Sequence, residues 1–265
     1  MALSRERPRV TARRPLILVT DAWHPQVNGV VHTWSYVQRE LDQLGHSLHV
    51  IHPILRRFHR ESQAILVPTE AMRNELQRAG FDRTRVWGRG VDSLRFAPGP
   101  RDALDLPRPI LLYAGRVAPE KNLEAFAALD LPGSRVVVGD GPELARLRAR
   151  YPSVHWLGGQ PHDSLARYYS AADAFVFPSR TDTFGLVMLE AMACGCPVAA
   201  YPVTGPIDVV TPGVSGVLDD DLRRACLQAL QLPRTEVRTA VIKRSWAEIA
   251  RDLLSVLVPI EAAGL

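Results

Sequence analysis

Cysteine is scarce in this chain: there are three in 265 residues, at Cys194, Cys196 and Cys226. Three thiols make no paired framework, which excludes a disulfide-stapled scaffold and suggests a reducing compartment. No second ligand pair accompanies Cys194-Gly195-Cys196, so that stretch reads as small-residue packing and not as a zinc site. No apolar run is long enough to cross a bilayer. The basic start, with Arg5, Arg7, Arg9, Arg13 and Arg14, lacks the apolar core of a signal peptide, because residues 16–19 are few and run into Thr20 and Asp21. It reads as a disordered tail, with contact to a membrane surface as the alternative. Aromatic residues are sparse at 7%, and there is neither an aromatic-rich basic stripe nor zinc-finger spacing, so no nucleic-acid partner is expected. The net charge of +4 permits anionic partners without identifying one. What the chain does have is a hydrophobic content of 46%, ample for one large or two smaller cores.

Strand-like and helix-like segments alternate along the sequence, the pattern of a parallel α/β architecture. In the first part, strands are predicted at 16–20, 47–51, 64–67 and 85–87, with helices at 30–44, 55–61 and 71–79. A stretch rich in Pro, Gly and charge at 96–109 reads as a linker. The second part has predicted strands at 110–114, 135–138, 154–157, 174–177, 198–201 and 216–218. Helices fall between them at 122–129, 142–150, 163–171 and 186–194, which makes a complete doubly wound domain. Amphipathic segments at 222–230 and 244–258 should pack outside it.

Chemistry concentrates where predicted strands end and helices begin, the edge at which open α/β sheets collect ligands. The segment from Arg180 to Val198 joins a loop, a short apolar helix and a strand, with Asp182 and Glu190 eight positions apart. Thr181, Asp182 and Thr183 are candidate N-caps. A helix opening near Gly185 and Leu186 presents backbone N–H groups suited to a phosphate. Glu190 lies inside an apolar helix, so it must reach a hydroxyl or basic partner or else face solvent.

Gly115-Arg116 and Lys121 follow another strand end: the glycine allows close backbone approach, and the two cations suit phosphate oxygens. Gly139-Asp140-Gly141 forms a third such turn. Leu144 stands where the last glycine of a dinucleotide fingerprint belongs, and a tight turn with Pro142 at the first helical position is an equal local reading. Asn28-Gly29 joins the first strand to the first helix, and His24 precedes it. Arg89 is free to face a cleft or to pair with a carboxylate. Asp219-Asp220-Asp221 precedes a predicted helix and is read as capping, not as a metal site.

The spacing Asp182-x7-Glu190 resembles the E-x7-E motif of retaining, nucleotide-sugar-dependent glycosyltransferases of family four (group 1), with Asp182 where Glu is commoner. The resemblance covers nearly the whole chain and has the character of lipid-linked or mannosyl-transferring members. It implies an α/β fold of two Rossmann-like domains of the glycosyltransferase B type, the first abbreviated. Residues 1–97 would form the acceptor side, and residues 98–265 the donor-binding domain with its terminal helices.

It further implies a hexosyltransferase with mannose favoured, a GDP- or UDP-linked sugar as donor, a lipid or glycan acceptor, and neither metal nor cofactor. The location implied is cytoplasmic, with peripheral contact at the inner membrane face left open. Asp182, Arg116 and Lys121 would be catalytic. Asn28, Gly29, Gly115, Gly139, Asp140, Gly141, Thr183, Phe184, Gly185, Leu186 and Glu190 would join them around the donor, with Glu190 on the ribose, Asp182 on the sugar and His24 at the sugar or acceptor.

Members normally carry further strands, helices and an active-site His where this chain has only residues 52–63. A nucleotide-sugar-binding module without transfer activity is therefore the alternative. A Rossmann oxidoreductase is disfavoured by the missing third glycine and by the lack of a ribose acid after the first strand.

Overall fold

The computed structural model describes residues 16–19, 29–44, 48–51, 64–78, 80–182 and 184–257. The chain divides into two compact units, Met1–Ser62 and Gln63–Leu265. In the first, β1 (Leu16–Val19) and β2 (Leu48–Ile51) pair in parallel with Leu16 opposite Leu48, and helix α1 (Gly29–Gln43) connects them. Val37 and Leu41, one turn apart on α1, are fully buried, as expected for the apolar stripe of an amphipathic helix. The helix predicted at 55–61 lies outside the described residues.

The second unit begins with β3 (Ile65–Val67), α2 (Glu70–Arg78) and β4 (Thr84–Val86), in which the two strands pair in parallel. Its main body is a six-stranded, wholly parallel sheet made of β5 (Ile110–Ala114), β6 (Ser134–Val138), β7 (His155–Trp156), β8 (Ala174–Phe177), β9 (Val198–Ala200) and β10 (Gly216–Leu218). The spatial order is β10-β9-β8-β5-β6-β7, so the chain builds outward from β5 in one direction and then returns to build from β8 in the other. This is the doubly wound arrangement expected from the sequence.

Strand alternation explains why every position of β5, β8 and β9 is apolar. Ile110, Leu112 and Ala114 of β5 point into one core, with Phe175 and Phe177 of β8 and the helices α5 (Leu165–Ala171) and α6 (Leu186–Ala193). Leu111 and Tyr113 point to the other, against α3 (Leu123–Ala127), α4 (Leu144–Arg150) and α8 (Leu222–Ala229). A parallel sheet covered on both faces must read as continuous hydrophobic runs, and this one does.

Four local expectations change. The helix predicted from Pro142 starts at Leu144, with Glu143 at its N-cap position, so Pro142 is not its first residue. Two short helices, α7 (Pro206–Val209) and α9 (Arg234–Thr239), have too few turns to show a period in the sequence. The irregular stretch 96–109 does not hang free, because Phe96 is 1% exposed and packs against Tyr169 with ring centroids 6.1 Å apart. Asp221 caps α8 as expected, accepting from the amides of Arg223 and Arg224.

The last described helix, α10 (Trp246–Val256), returns to the β3–β4 strands. Val91 donates its amide to Arg244 O at 2.8 Å and bridges in parallel to Ser245. The buried Trp87 indole donates to Ile249 O at 2.9 Å across 162 residues. Trp87→Phe keeps most of the ring packing and removes that donor, while Ile249 O keeps its place in the helix ladder. Urea unfolding should show a loss of about 0.5–1.5 kcal/mol; unchanged stability would mean that this bond does not anchor α10.

Candidate functional site

The strand order reverses at β5, between β6 and β8, so the loops after β5 and β8 diverge at the carboxyl edge of the sheet and leave a crevice there. Gly115, Arg116 and Lys121 lie on the first of these loops, and Asp182, Phe184 and Gly185 on the second. The turns after β5 and β6 are joined by backbone bonds: the Gly115 amide donates to Val138 O at 2.9 Å, the Val117 amide to Asp140 O at 2.8 Å, and the Glu143 amide to Val117 O at 3.1 Å. Gly139, at φ +150°, lies so close to Gly115 that an added Cβ would collide with the Gly115 carbonyl oxygen. Only glycine fits there. The Asp140 carboxylate is used locally and accepts from the Gly141 amide at 2.6 Å.

Arg116 and Lys121 fare differently. The Arg116 side chain is 66% exposed and among the described residues pairs with Glu120, at 3.4 Å. Lys121 closes a single 3-10 turn, Pro119–Lys121, that ends at Asn122 in the left-handed conformation. The Asn122 amide side chain donates to Pro178 O at 3.0 Å, and the Ser179 hydroxyl donates to Glu120 O at 3.2 Å. These bonds tie the loop after β5 to the loop after β8. Lys121 Nζ then lies 2.8 and 2.7 Å from the two carboxylate oxygens of Asp182. The structure thus brings two of the predicted residues into direct contact across 61 positions.

The capping expectation for Thr181, Asp182 and Thr183 is corrected for the described residues. Gly185 occupies the N-cap position of α6 at φ +80°, with no side-chain cap bond. The Asp182 carboxylate lies instead against Lys121. A Cβ on Gly185 would press on Met188 Cε at 2.7 Å and the Phe177 ring at 3.0 Å, so the tight entry into α6 requires glycine. Phe184 is buried and Leu186 half-buried. Thr183, Asn28 and His24 lie outside the described residues, and Gly29 opens α1 of the first unit.

Glu190, on α6, is 9% exposed and has found the partners that its burial demands. Its Oε1 lies 2.9 Å from His162 Nε2, and its Oε2 accepts from the Tyr169 hydroxyl at 3.2 Å. His162 in turn meets Arg95 Nη1 at 3.4 Å through Nδ1, and Arg95 pairs with Asp163. Burial, and after it the Glu190 charge, holds the Tyr169 hydroxyl well above its ordinary pKa.

His162, Tyr169 and Arg95 were not singled out from the sequence. The signal available was the demand of Glu190 for a hydroxyl or basic partner, which names residue types but not positions. Among the described residues Arg89 pairs with no carboxylate. Its guanidinium donates to Trp87 O and Gly88 O at 3.0 and 3.2 Å and lies over the Trp87 and Phe184 rings, and burial lowers its pKa to about 10. Burial also pushes all three cysteine thiols up to about 12, so they pack as inert side chains. Among the described residues no group of three His, Cys, Asp or Glu side chains could hold a metal, and no helix is long and apolar enough to cross a membrane.

The family model described as "Glycosyl transferases group 1" matches residues 100–239, more than half of the chain, and "Glycosyltransferase Family 4" matches residues 22–95. A GDP-mannose-dependent alpha-mannosyltransferase of Mycobacterium tuberculosis is 33% identical over 216 residues, covering 75% of this chain and 57% of that protein. A Mycolicibacterium smegmatis protein of the same description is 33% identical, covering 75% of this chain and 58% of its own length. The chain therefore spans less than three fifths of these curated relatives.

Among solved structures, Anabaena HepE in complex with UDP is similar at TM-score 0.65 and 19% identity, covering 91% of this chain and 78% of that one. The sucrose-phosphate synthase from Thermosynechococcus elongatus is similar at TM-score 0.65 and 27% identity, covering 75% and 58%. With the parallel sheet, its switch-point loops and the matched models together, the chain belongs to the group 1 glycosyl transferases and has their two-domain α/β fold of the B type, its family-four segment short.

Proposed function

We propose that this chain is a hexosyltransferase that moves mannose from GDP-mannose to a lipid or glycan acceptor with retention of configuration. The observation that carries the proposal is the pairing of Lys121 with Asp182 between the loops after β5 and β8, with Arg116 on the first of these loops and Glu190 on the helix that follows the second. The choice of GDP and mannose is supported by the descriptions of the mycobacterial relatives.

In this mechanism Lys121 and Arg116 meet the diphosphate. Negative charge grows on the leaving phosphate as the glycosidic bond breaks, and fixed cations stabilise it without reorganisation. Lys121 carries three ammonium protons, so its pairing with Asp182 leaves capacity for a phosphate oxygen. Asp182, held in place by Lys121, orients sugar hydroxyls, and Glu190 receives the ribose. The backbone near Gly185 and Leu186 adds donors at the start of α6, and Gly115, Gly139 and Gly141 let the donor approach the main chain closely. The departing phosphate takes the acceptor proton on the same face, so no protein nucleophile is needed. The division into an acceptor side, residues 1–97, and a donor side, residues 98–265, belongs to this proposal, as do the donor contacts of Asn28, Gly29, Asp140, Thr183 and Phe184 and an acceptor contact by His24.

A second reading, binding without transfer, is favoured by one feature: only residues 52–63 separate β2 from the segment leading into β3, where family members carry much of the acceptor wall. GDP binding with no transfer across a broad acceptor panel would support it.

Two outcomes are expected. In a thermal-shift panel of nucleotide sugars, GDP-mannose at a hundred times its dissociation constant should stabilise the chain by about 2.7 kcal/mol, and stabilisation by none of the panel would defeat the proposal. Arg116→Ala should weaken donor binding by about 1.5–3 kcal/mol, the range for a hydrogen bond to a charged group. Because Arg116 is exposed, its removal should move folding stability by no more than about 0.5 kcal/mol. Calorimetric titration that finds normal donor affinity in this variant would remove Arg116 from the site.

A further inference from the structure

Glu190 offers an acceptor pair whose direction is fixed before any ligand arrives. One oxygen faces His162 Nε2 at 2.9 Å and the other the Tyr169 hydroxyl at 3.2 Å. The far side of the His162 ring determines which way these bonds run. Arg95 Nη1 lies 3.4 Å from Nδ1, and a guanidinium can only donate, so Nδ1 accepts and Nε2 carries the ring proton. Both contacts to Glu190 are then donations from neutral groups. Among the described residues, Glu190, Arg95 and the Asp163 that pairs with Arg95 are charged groups facing His162.

Packing holds both donors. Phe96 meets the imidazole edge-on at 5.3 Å between ring centroids, and Tyr169 meets Phe175 edge-on at 5.5 Å. Tyr169 is fully buried, and its raised pKa keeps the hydroxyl proton in place to donate. A carboxylate has about two acceptor sites on each oxygen, so beside these two donors each oxygen keeps capacity for a further one among the described residues, and a vicinal diol can use both. A lysine in place of His162 would neutralise the charge that attracts the diol. Neutral donors fix direction and leave that charge available.

We propose that His162 and Tyr169 are positioning residues that aim the Glu190 carboxylate at the 2′ and 3′ hydroxyls of the donor's ribose. This rests on the assignment of Glu190 to the ribose, and the test separates the two. Removing a positioning donor should cost affinity only for nucleotides that still carry the diol, whereas a merely structural loss should weaken all nucleotides alike.

The full chain and its variants are titrated calorimetrically with GDP and 2′,3′-dideoxy-GDP, and in parallel with the corresponding UDP pair. The readout is the ratio of affinities within each pair. The unsubstituted chain should favour the ribonucleotide about tenfold, as expected for hydrogen bonds to a charged acceptor. Glu190→Gln, His162→Phe and Tyr169→Phe should each lower that ratio about three- to tenfold, with dideoxynucleotide affinity held within about twofold. His162→Gln, which restores an N–H of similar reach, should recover much of the ratio.

If His162→Phe and Tyr169→Phe keep the full ratio while Glu190→Gln loses it, positioning is overturned and the ribose assignment stands. Equal weakening toward both nucleotides in the His162 and Tyr169 variants also overturns positioning. If Glu190→Gln keeps the ratio, or if no nucleotide binds, the ribose assignment fails and the inference fails with it.

Discussion

The reversal of strand order beside β5 is the constraint on which the rest of the second unit depends. A strand flanked by its successor β6 on one side and by β8 on the other sends its loop and the β8 loop apart, and polar groups can gather in the gap without breaking the core. Both faces of the sheet must then be covered. This forces apolar side chains at every position of β5 and β8 and restricts charge to the loops at the strand ends. The backbone is drawn just as tightly: the turns after β5 and β6 lie in contact, and at Gly139 there is no room for a side chain. The site is thus a consequence of how the sheet is wound.

Charge at such an edge is half-buried, and half-buried charge needs partners. Lys121 and Asp182 supply each other's, with both carboxylate oxygens within 2.8 Å of the ammonium. Glu190 is more deeply buried and meets the His162 ring and the Tyr169 hydroxyl. Arg116, out in solvent, has a 3.4 Å contact with Glu120. The three arrangements differ in how far each group has already lost its water, and so in how much a ligand must rearrange on arrival.

Particular residues show how much of this was legible beforehand. The strand runs 110–114 and 174–177, the turn glycines and the carboxylate pair at 182 and 190 stand in the sequence as plain local patterns, and the structure contains them as strands, turns and a loop-to-helix segment. The cap of α6 was misjudged because Asp182 is an equally good cap and ion-pair partner, and Lys121 decides between the two from the other side of the crevice. Residues 96–109 looked like a free linker by composition. Phe96 nevertheless buries itself against Tyr169 and His162, because a large ring gains more from an apolar niche than from a polar neighbourhood in sequence.

By itself the sequence determined the alternation of strands and helices, the places where glycine was needed and the residue types available at each strand end, because periodicity, backbone freedom and ionic character are properties of a few neighbouring residues. It also required that Glu190 either find a hydroxyl or basic partner or face solvent, since burying a lone carboxylate is too costly. Only the tertiary structure decided that the partners are His162 and Tyr169, that Lys121 holds Asp182 across 61 residues, and that Trp87 anchors the last helix across 162. Many side chains could have met those demands, and the choice among them was made by which ones the winding of the sheet brought within hydrogen-bond reach.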